Sequence, residues 1–183
     1  MPLSTGQTSI DRLFGCNGLE TRQVTEIFGK SGTGKSTFCL SLCLQVQLSL
    51  SKGGLAANSI YICTSSRFSI KRLNQLMVPF LADHPDLNES DLLEGIQIIH
   101  VRERETLIHM LKYQLPNLIK SFNIKLIVID TLAAVFRVND GGGTSSKASA
   151  IFETCMALHR LAYTGIVILV VNEVSARFPS VKR

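Results

Sequence analysis

No apolar run in this chain approaches the roughly 18 residues needed to cross a bilayer. The longest, Ile166-Val167-Ile168-Leu169-Val170-Val171, has the length of a strand. The opening residues Met1-Pro2-Leu3-Ser4-Thr5-Gly6 lack the charged start and apolar core of a secretion signal. The five cysteines (Cys16, Cys39, Cys43, Cys63, Cys155) include no Cys-x-x-Cys pair, and their number is odd. Together these absences predict an intracellular, soluble protein with no membrane partner and no disulfide framework. His84, His100, His109 and His159 are scattered without zinc-ligand spacing, so no structural metal is expected. No internal repeat is visible, and no second domain fits within 183 residues. A single domain over 1–183 follows.

What the chain does contain is apolar residues, 45% of the total, enough for a substantial core. Basic residues outnumber acidic ones, for a formal charge of +5 and a pI near 9.1. That balance suits a partner of negative charge, nucleic acid or nucleotide alike. Strand-like runs at Val24–Phe28, Ser59–Thr64, Ile96–Val101, Lys125–Ile129 and Ile166–Val171 alternate with helical patterns near Thr37–Leu50, Ile70–Leu81, Thr106–Phe122 and Ala148–Tyr163. The strands are continuously apolar rather than alternating, as in a parallel sheet covered on both faces. A three-layer α/β fold is predicted. Cys39 and Cys43, four residues apart on the first long helix, suit packing against the sheet. Ala82–Asp86 reads as an ordinary connection. Asn139–Lys147 (Asn-Asp-Gly-Gly-Gly-Thr-Ser-Ser-Lys) reads as a flexible polar loop, disordered without a ligand.

One segment carries explicit chemistry. Gly29-Lys30-Ser31-Gly32-Thr33-Gly34-Lys35-Ser36 is G-x-x-x-x-G-K-S, set between an apolar strand and a helix that Thr37 continues. Glycines let backbone N–H groups turn inward around phosphates, and the helix N-terminus adds partial positive charge. Lys35 would reach the β- and γ-phosphates, and the Ser36 hydroxyl would ligate Mg²⁺. Leu126-Ile127-Val128-Ile129-Asp130 is an apolar strand ending in a carboxylate that can hold the same ion, directly or through water. ATP and Mg²⁺ are the expected cofactors.

With those motifs in place, Leu3-Ser4-Thr5-Gly6, Gly18-Leu19-Glu20, Val24–Gly29 and the pair Asp130/Asn172 resemble the RecA-like recombinases of eukaryotic homologous recombination. Lys52-Gly53-Gly54-Leu55, Tyr61-Ile62-Cys63-Thr64 and Lys71–Met77 are similar to the X-ray repair cross-complementing branch of recombinase paralogues. The resemblance runs in order from Leu3 to Val174. It implies a RecA-like fold with a mainly parallel sheet, and a nuclear protein that binds ATP and DNA, single-stranded or branched. It also implies a hetero-oligomer with another recombinase paralogue in double-strand-break repair. The arginine that stacks on adenine in the family corresponds to Arg72, which as a helix residue beside Lys71 is equally a solvated charge. The first DNA-binding loop corresponds to Arg137 through Lys147, whose end residues would supply phosphate contacts. A flexible surface loop without a partner is the other reading. Arg177, Lys182 and Arg183 could add charge.

Departures from the family pattern bear on catalysis. The glutamate that polarises the attacking water is Ser65 here, and loss of a positioned base costs about 10²–10⁴-fold in rate. The family's Asn-Gln pair is Asn172-Glu173, whose carboxylate would repel a γ-phosphate unless turned away or protonated. Relative to the family, the chain has no N-terminal helical domain or linker strand and ends within the second DNA-binding loop. A fragment or isoform and a reduced, partner-dependent paralogue both fit. The expected function is thus a weakly or slowly hydrolysing, DNA-dependent ATPase-like subunit; the alternative is a non-hydrolysing ATP-binding scaffold that stabilises a partner. A third reading, a small kinase with an arginine lid, has only Arg102-Glu103-Arg104 to offer it.

Overall fold

The computed structural model describes residues 1–15, 17–65, 67–137 and 144–174. Strands β1 (Val24–Gly29), β2 (Asn58–Cys63), β3 (Ile96–His100), β4 (Ile124–Asp130) and β5 (Val167–Glu173) form one sheet in the order β1-β5-β4-β2-β3. Every pairing is parallel, as the continuous apolar runs predict. Because side chains alternate along a strand, Leu126 and Val128 of β4 enter one core while Ile127 and Ile129 enter the other.

The helices are α1 (Thr8–Asp11), α2 (Lys35–Gln45), α3 (Ile70–Asp83), α4 (Glu89–Glu94), α5 (Arg104–His109), α6 (Leu115–Ser121), α7 (Ala134–Arg137) and α8 (Thr144–Tyr163). The first core joins β-strand residues to α2 and α3, through Leu40, Leu42, Leu44, Leu73 and Met77 among others. The second joins the opposite face to α5, α6 and α8, through Leu107, Leu115, Leu158 and Leu161. Cys39 and Cys43 are fully buried in the first. This is the three-layer arrangement.

Three helix boundaries differ from the sequence pattern, each for a backbone reason. The apolar spacing of α2 extends to Leu50, yet the helix ends at Gln45. The returning chain takes carbonyls that a longer helix would need: Leu55 N donates to Val46 O (3.0 Å) and Ala56 N to Leu48 O (2.8 Å). The stretch read as one helix over Thr106–Phe122 is α5, a π-helical turn at Met110–Gln114, then α6. Pro116 lies in the first turn of α6 and has no N–H to continue an α-helical ladder, so the chain widens before it. Finally, Thr144–Lys147, expected to be loop, forms the first turn of α8. Helices α1, α4 and α7 were too short to show a period.

The N-terminal segment is tied down by one carboxylate. Asp11 accepts from Ser4 Oγ, Thr5 N and Thr5 Oγ1, each at 2.7 Å. Leu3 and Leu19, both fully buried, exchange main-chain hydrogen bonds at 2.7 and 2.8 Å. No helix among the described residues is long and apolar enough to cross a membrane.

Candidate functional site

The loop from Gly29 to Ser36 leaves the C-terminal end of β1 and enters α2. Gly32 (φ 79°) and Gly34 (φ 89°) are left-handed, and a Cβ at either would meet nothing within 4 Å. Backbone conformation rather than crowding therefore reserves these positions for glycine. Thr33 Oγ1 donates to Lys30 O at 2.9 Å and tightens the turn. Lys35 Nζ donates to Gly29 O (2.9 Å) and Lys30 O (2.8 Å), so the ammonium lies across its own loop. Lys30, Ser31, Gly32, Thr33, Gly34 and Ser36 are exposed to an incoming anion.

Asp130 ends β4. Its strand is not the neighbour of β1, because β5 lies between them. The carboxylate nevertheless meets the loop: Ser36 Oγ donates to Asp130 Oδ2 at 2.7 Å. Strand parity explains this, since Asp130 shares its face with Leu126 and Val128, the face that α2 covers. One carboxylate and one hydroxyl beside a phosphate cradle is a donor set that suits Mg²⁺, which keeps several waters and takes substrate oxygens. Among the described residues no group of three or more His, Cys, Asp or Glu gathers elsewhere as a metal site.

Further partners surround that carboxylate. Tyr61 OH donates to Asp130 Oδ2 at 2.6 Å. Burial first, then the nearby Asp130 charge, holds the Tyr61 phenol far above its ordinary pKa, so it stays a donor. Thr64 N donates to Asp130 O (3.0 Å), while Thr64 Oγ1 donates to Thr131 O (2.5 Å) and accepts from Thr131 N (2.9 Å). On the other side, Asn172 accepts from Ala133 N (2.8 Å) and donates to Glu26 Oε1 (2.7 Å), linking β1, β5 and the chain after β4. Neither Tyr61 nor Thr64 stood out by type. Their roles depend on register, which places Cys63 opposite Asp130 and Tyr61 opposite Val128.

The remaining candidates fall on the same rim or near it. Ser65 is exposed directly after Thr64. Glu173 pairs in register with Gly29, and its side chain is exposed. Arg72 Nε donates to Thr37 Oγ1 (3.2 Å) and Arg72 Nη1 to Gln75 Oε1 (3.1 Å), so the exposed guanidinium lies against the first turn of α2. Arg137 ends α7 rather than standing in a loop, and its Nη2 donates to Glu173 O at 3.4 Å. Lys147 is exposed in the first turn of α8. The residues between them, 138–143, lie outside the described residues, as do Cys16, Arg177, Lys182 and Arg183. Arg102 to Arg104 follow β3, four strands from β1, or about 19 Å at the usual ~4.8 Å spacing. Arg104 pairs with Glu105 there (2.6 Å).

A concavity of about 1160 Å³ lies elsewhere. It opens on the α6 and α8 face, between Tyr113, Pro116, Phe152, Met156 and Arg160. The phosphate loop lies against the other face.

A parallel sheet flanked by helices on both faces, with a phosphate loop after β1 and an aspartate after β4 across an intervening strand, defines a RecA-like α/β domain. The chain belongs to the Rad51 family, whose model matches residues 1–181. It is similar to DNA repair protein rhp57 of Schizosaccharomyces pombe, 30% identical over 97% of this chain and 54% of that protein. It is also similar to DNA repair protein XRCC3 of Bos taurus (35%, over 87% and 48%). DNA repair and recombination protein RadA of Aeropyrum pernix matches at 30%, over 96% and 54%. The chain spans about half the length of these relatives.

Proposed function

We propose that this chain is an ATP·Mg²⁺-binding subunit that acts with another recombinase paralogue on DNA, in double-strand-break repair by homologous recombination in the nucleus. Its hydrolysis of ATP is slow. The observation that carries the reading is the Ser36 to Asp130 contact at 2.7 Å, which joins a phosphate loop to a carboxylate at the same rim. Lys35 and the loop amides would hold the phosphates, and Ser36 and Asp130 would hold the ion. Mg²⁺ bound there with ATP supplies charge neutralisation at the phosphates. Arg72, which reaches Thr37, would cover the base with its flat guanidinium.

Slow turnover rests on Ser65. It is the exposed residue after Thr64 on the rim that carries Asp130, and a hydroxyl is a poor base beside a carboxylate. Family membership supports the DNA and partner roles, as do the names of the relatives, which are DNA repair proteins. The second reading, a scaffold that binds ATP without cleaving it, is favoured by the same Ser65 and by the exposed Glu173 carboxylate beside Gly29. A kinase lid is disfavoured by the distance of Arg102 to Arg104 from β1.

Steady-state ATP turnover of the full chain, alone and with single-stranded DNA, separates the two. Slow turnover that DNA stimulates supports the ATPase subunit. Nucleotide binding with no turnover in either condition supports the scaffold, and absence of nucleotide binding overturns both.

A further inference from the structure

We propose that Tyr61 is a positioning residue for the metal: its hydroxyl fixes Asp130 Oδ2, so that Oδ1 is the oxygen turned towards Mg²⁺. The proposal rests on the ATP·Mg²⁺ reading of the site and assigns a role in it to a residue outside the phosphate loop and its aspartate.

Two donors converge on one oxygen. Tyr61 OH lies 2.6 Å and Ser36 Oγ 2.7 Å from Asp130 Oδ2. A carboxylate oxygen offers two lone-pair sites, and both on Oδ2 are taken. No residue among those described donates to Oδ1, which leaves that oxygen as the acceptor for the ion or its water. Short O–H···O⁻ bonds of this kind are strong and directional, so the carboxylate plane is set before any ligand arrives.

Packing alone does not account for a tyrosine here. Tyr61 is 3% exposed in a strand whose neighbours are Ile60 and Ile62. Phenylalanine would fill that space without a hydroxyl that needs a partner. Register supplies the reason for the length of the side chain. Tyr61 lies opposite Val128 and Cys63 opposite Asp130, so a donor at position 61 must reach two residues along the sheet. Serine or threonine is too short for that span. The ring is held edge-on by Phe68, with centroids 5.1 Å apart and planes at 82°. Phe68 belongs to the segment that follows Ser65, so the segment bearing the family's missing base and the metal carboxylate are braced by one ring.

The test is equilibrium binding of ATP to the full chain in EDTA and across a MgCl₂ series, for the parent and Tyr61→Phe. In EDTA the two affinities should agree within about twofold. The Mg²⁺ concentration giving half of the metal-dependent gain should rise about tenfold in the variant, the lower end of what partners behind metal ligands contribute. An unchanged Mg²⁺ midpoint overturns the proposal. So does loss of ATP binding in EDTA, which would make Tyr61 a support of the loop instead. A parent that binds no ATP in any condition overturns the nucleotide reading as well, which keeps the two failures distinct. A second measurement needs no change at position 61. The chain has three tyrosines, and Tyr113 and Tyr163 are exposed at 62% and 73%. With ¹³Cζ-labelled tyrosine, assigned through Tyr113→Phe and Tyr163→Phe, adding Mg²⁺ to the ATP-loaded protein should move the Tyr61 signal. A stationary Tyr61 signal overturns the proposal whatever Tyr61→Phe does.

Discussion

At the scale of single residues, burial divides the four described cysteines into two chemical groups. Cys39, Cys43 and Cys63 lie in the core, where desolvation pushes Cys43 up to about 12 and Cys63 to about 11 from a usual 9.0, and Cys39 well above it. Cys155 is exposed. Iodoacetamide at neutral pH should therefore label Cys155 and leave the three buried thiols unmodified, as peptide mapping by mass spectrometry would show; labelling of Cys43 in the folded protein contradicts this. The same shifts set a pH limit. A thiol whose folded pKa is raised contributes fully below the unfolded value of 9.0, and that stability is lost as pH rises from there towards 11 and 12. Melting temperature should therefore fall as pH rises above 9. Ser65 carries a second residue-scale prediction. Ser65→Glu should raise ATP turnover, within the roughly 10²–10⁴-fold span of a positioned base; a parent that already turns over as fast removes Ser65 from the catalytic position. That Ser36 and Asp130 come together was legible in the sequence, because a phosphate-loop motif and an aspartate-terminated strand were both visible in it. Tyr61, Thr64 and the Asn172 to Glu26 link were not, since each acts through a neighbour that only strand register supplies.

Among elements, the turn after α2 explains what apolar spacing could not. Leu48 continues the helical pattern, yet its carbonyl accepts from Ala56, and Gly54 packs directly on that carbonyl. A Cβ at Gly54 would lie 2.1 Å from Leu48 O and 2.7 Å from Gln45 O, both backbone atoms that cannot move aside cheaply. Gly54→Ala should cost about 1–3 kcal/mol in urea unfolding. Loss of less than a few tenths would mean that α2 tolerates a different exit. Strands were read nearly to the residue, and the central β4 and β5 are the continuous, buried apolar runs expected of a covered parallel sheet. The outer β1 and β3, which carry Thr25, Glu26 and Gln97, are only partly buried. Long helices were read less well. Periodicity ran unbroken through the π-helical turn before Pro116, since side-chain spacing there stays nearly helical while the hydrogen bonds change.

For the molecule as a whole, the site collects the C-terminal ends of β1, β2, β4 and β5, where open parallel sheets bind ligands. Among the described residues, the outer strands β1 and β3 each have an unpaired edge and carry the exposed Phe28 and Ile98, and such edges favour association with another chain. Co-expression with candidate paralogues, followed by light scattering with and without ATP, should therefore retain a partner; a monodisperse monomer in every condition counts against the subunit reading. DNA contact, if made by Arg137 and Lys147, is electrostatic and indifferent to sequence. Replacing both with alanine should flatten the salt slope of single-strand binding by about 1.4, two contacts at about 0.7 each. An unchanged slope moves the contact elsewhere. The proposed function rests on nucleotide at the phosphate loop, so the most direct measurement is equilibrium binding of Mg·ATP to the parent and to Lys35→Ala. The account predicts saturable binding by the parent and affinity weaker by about 10- to 100-fold in the variant, the worth of hydrogen bonds to a charged group, with unchanged melting without nucleotide. Equal affinities in the two proteins would contradict it.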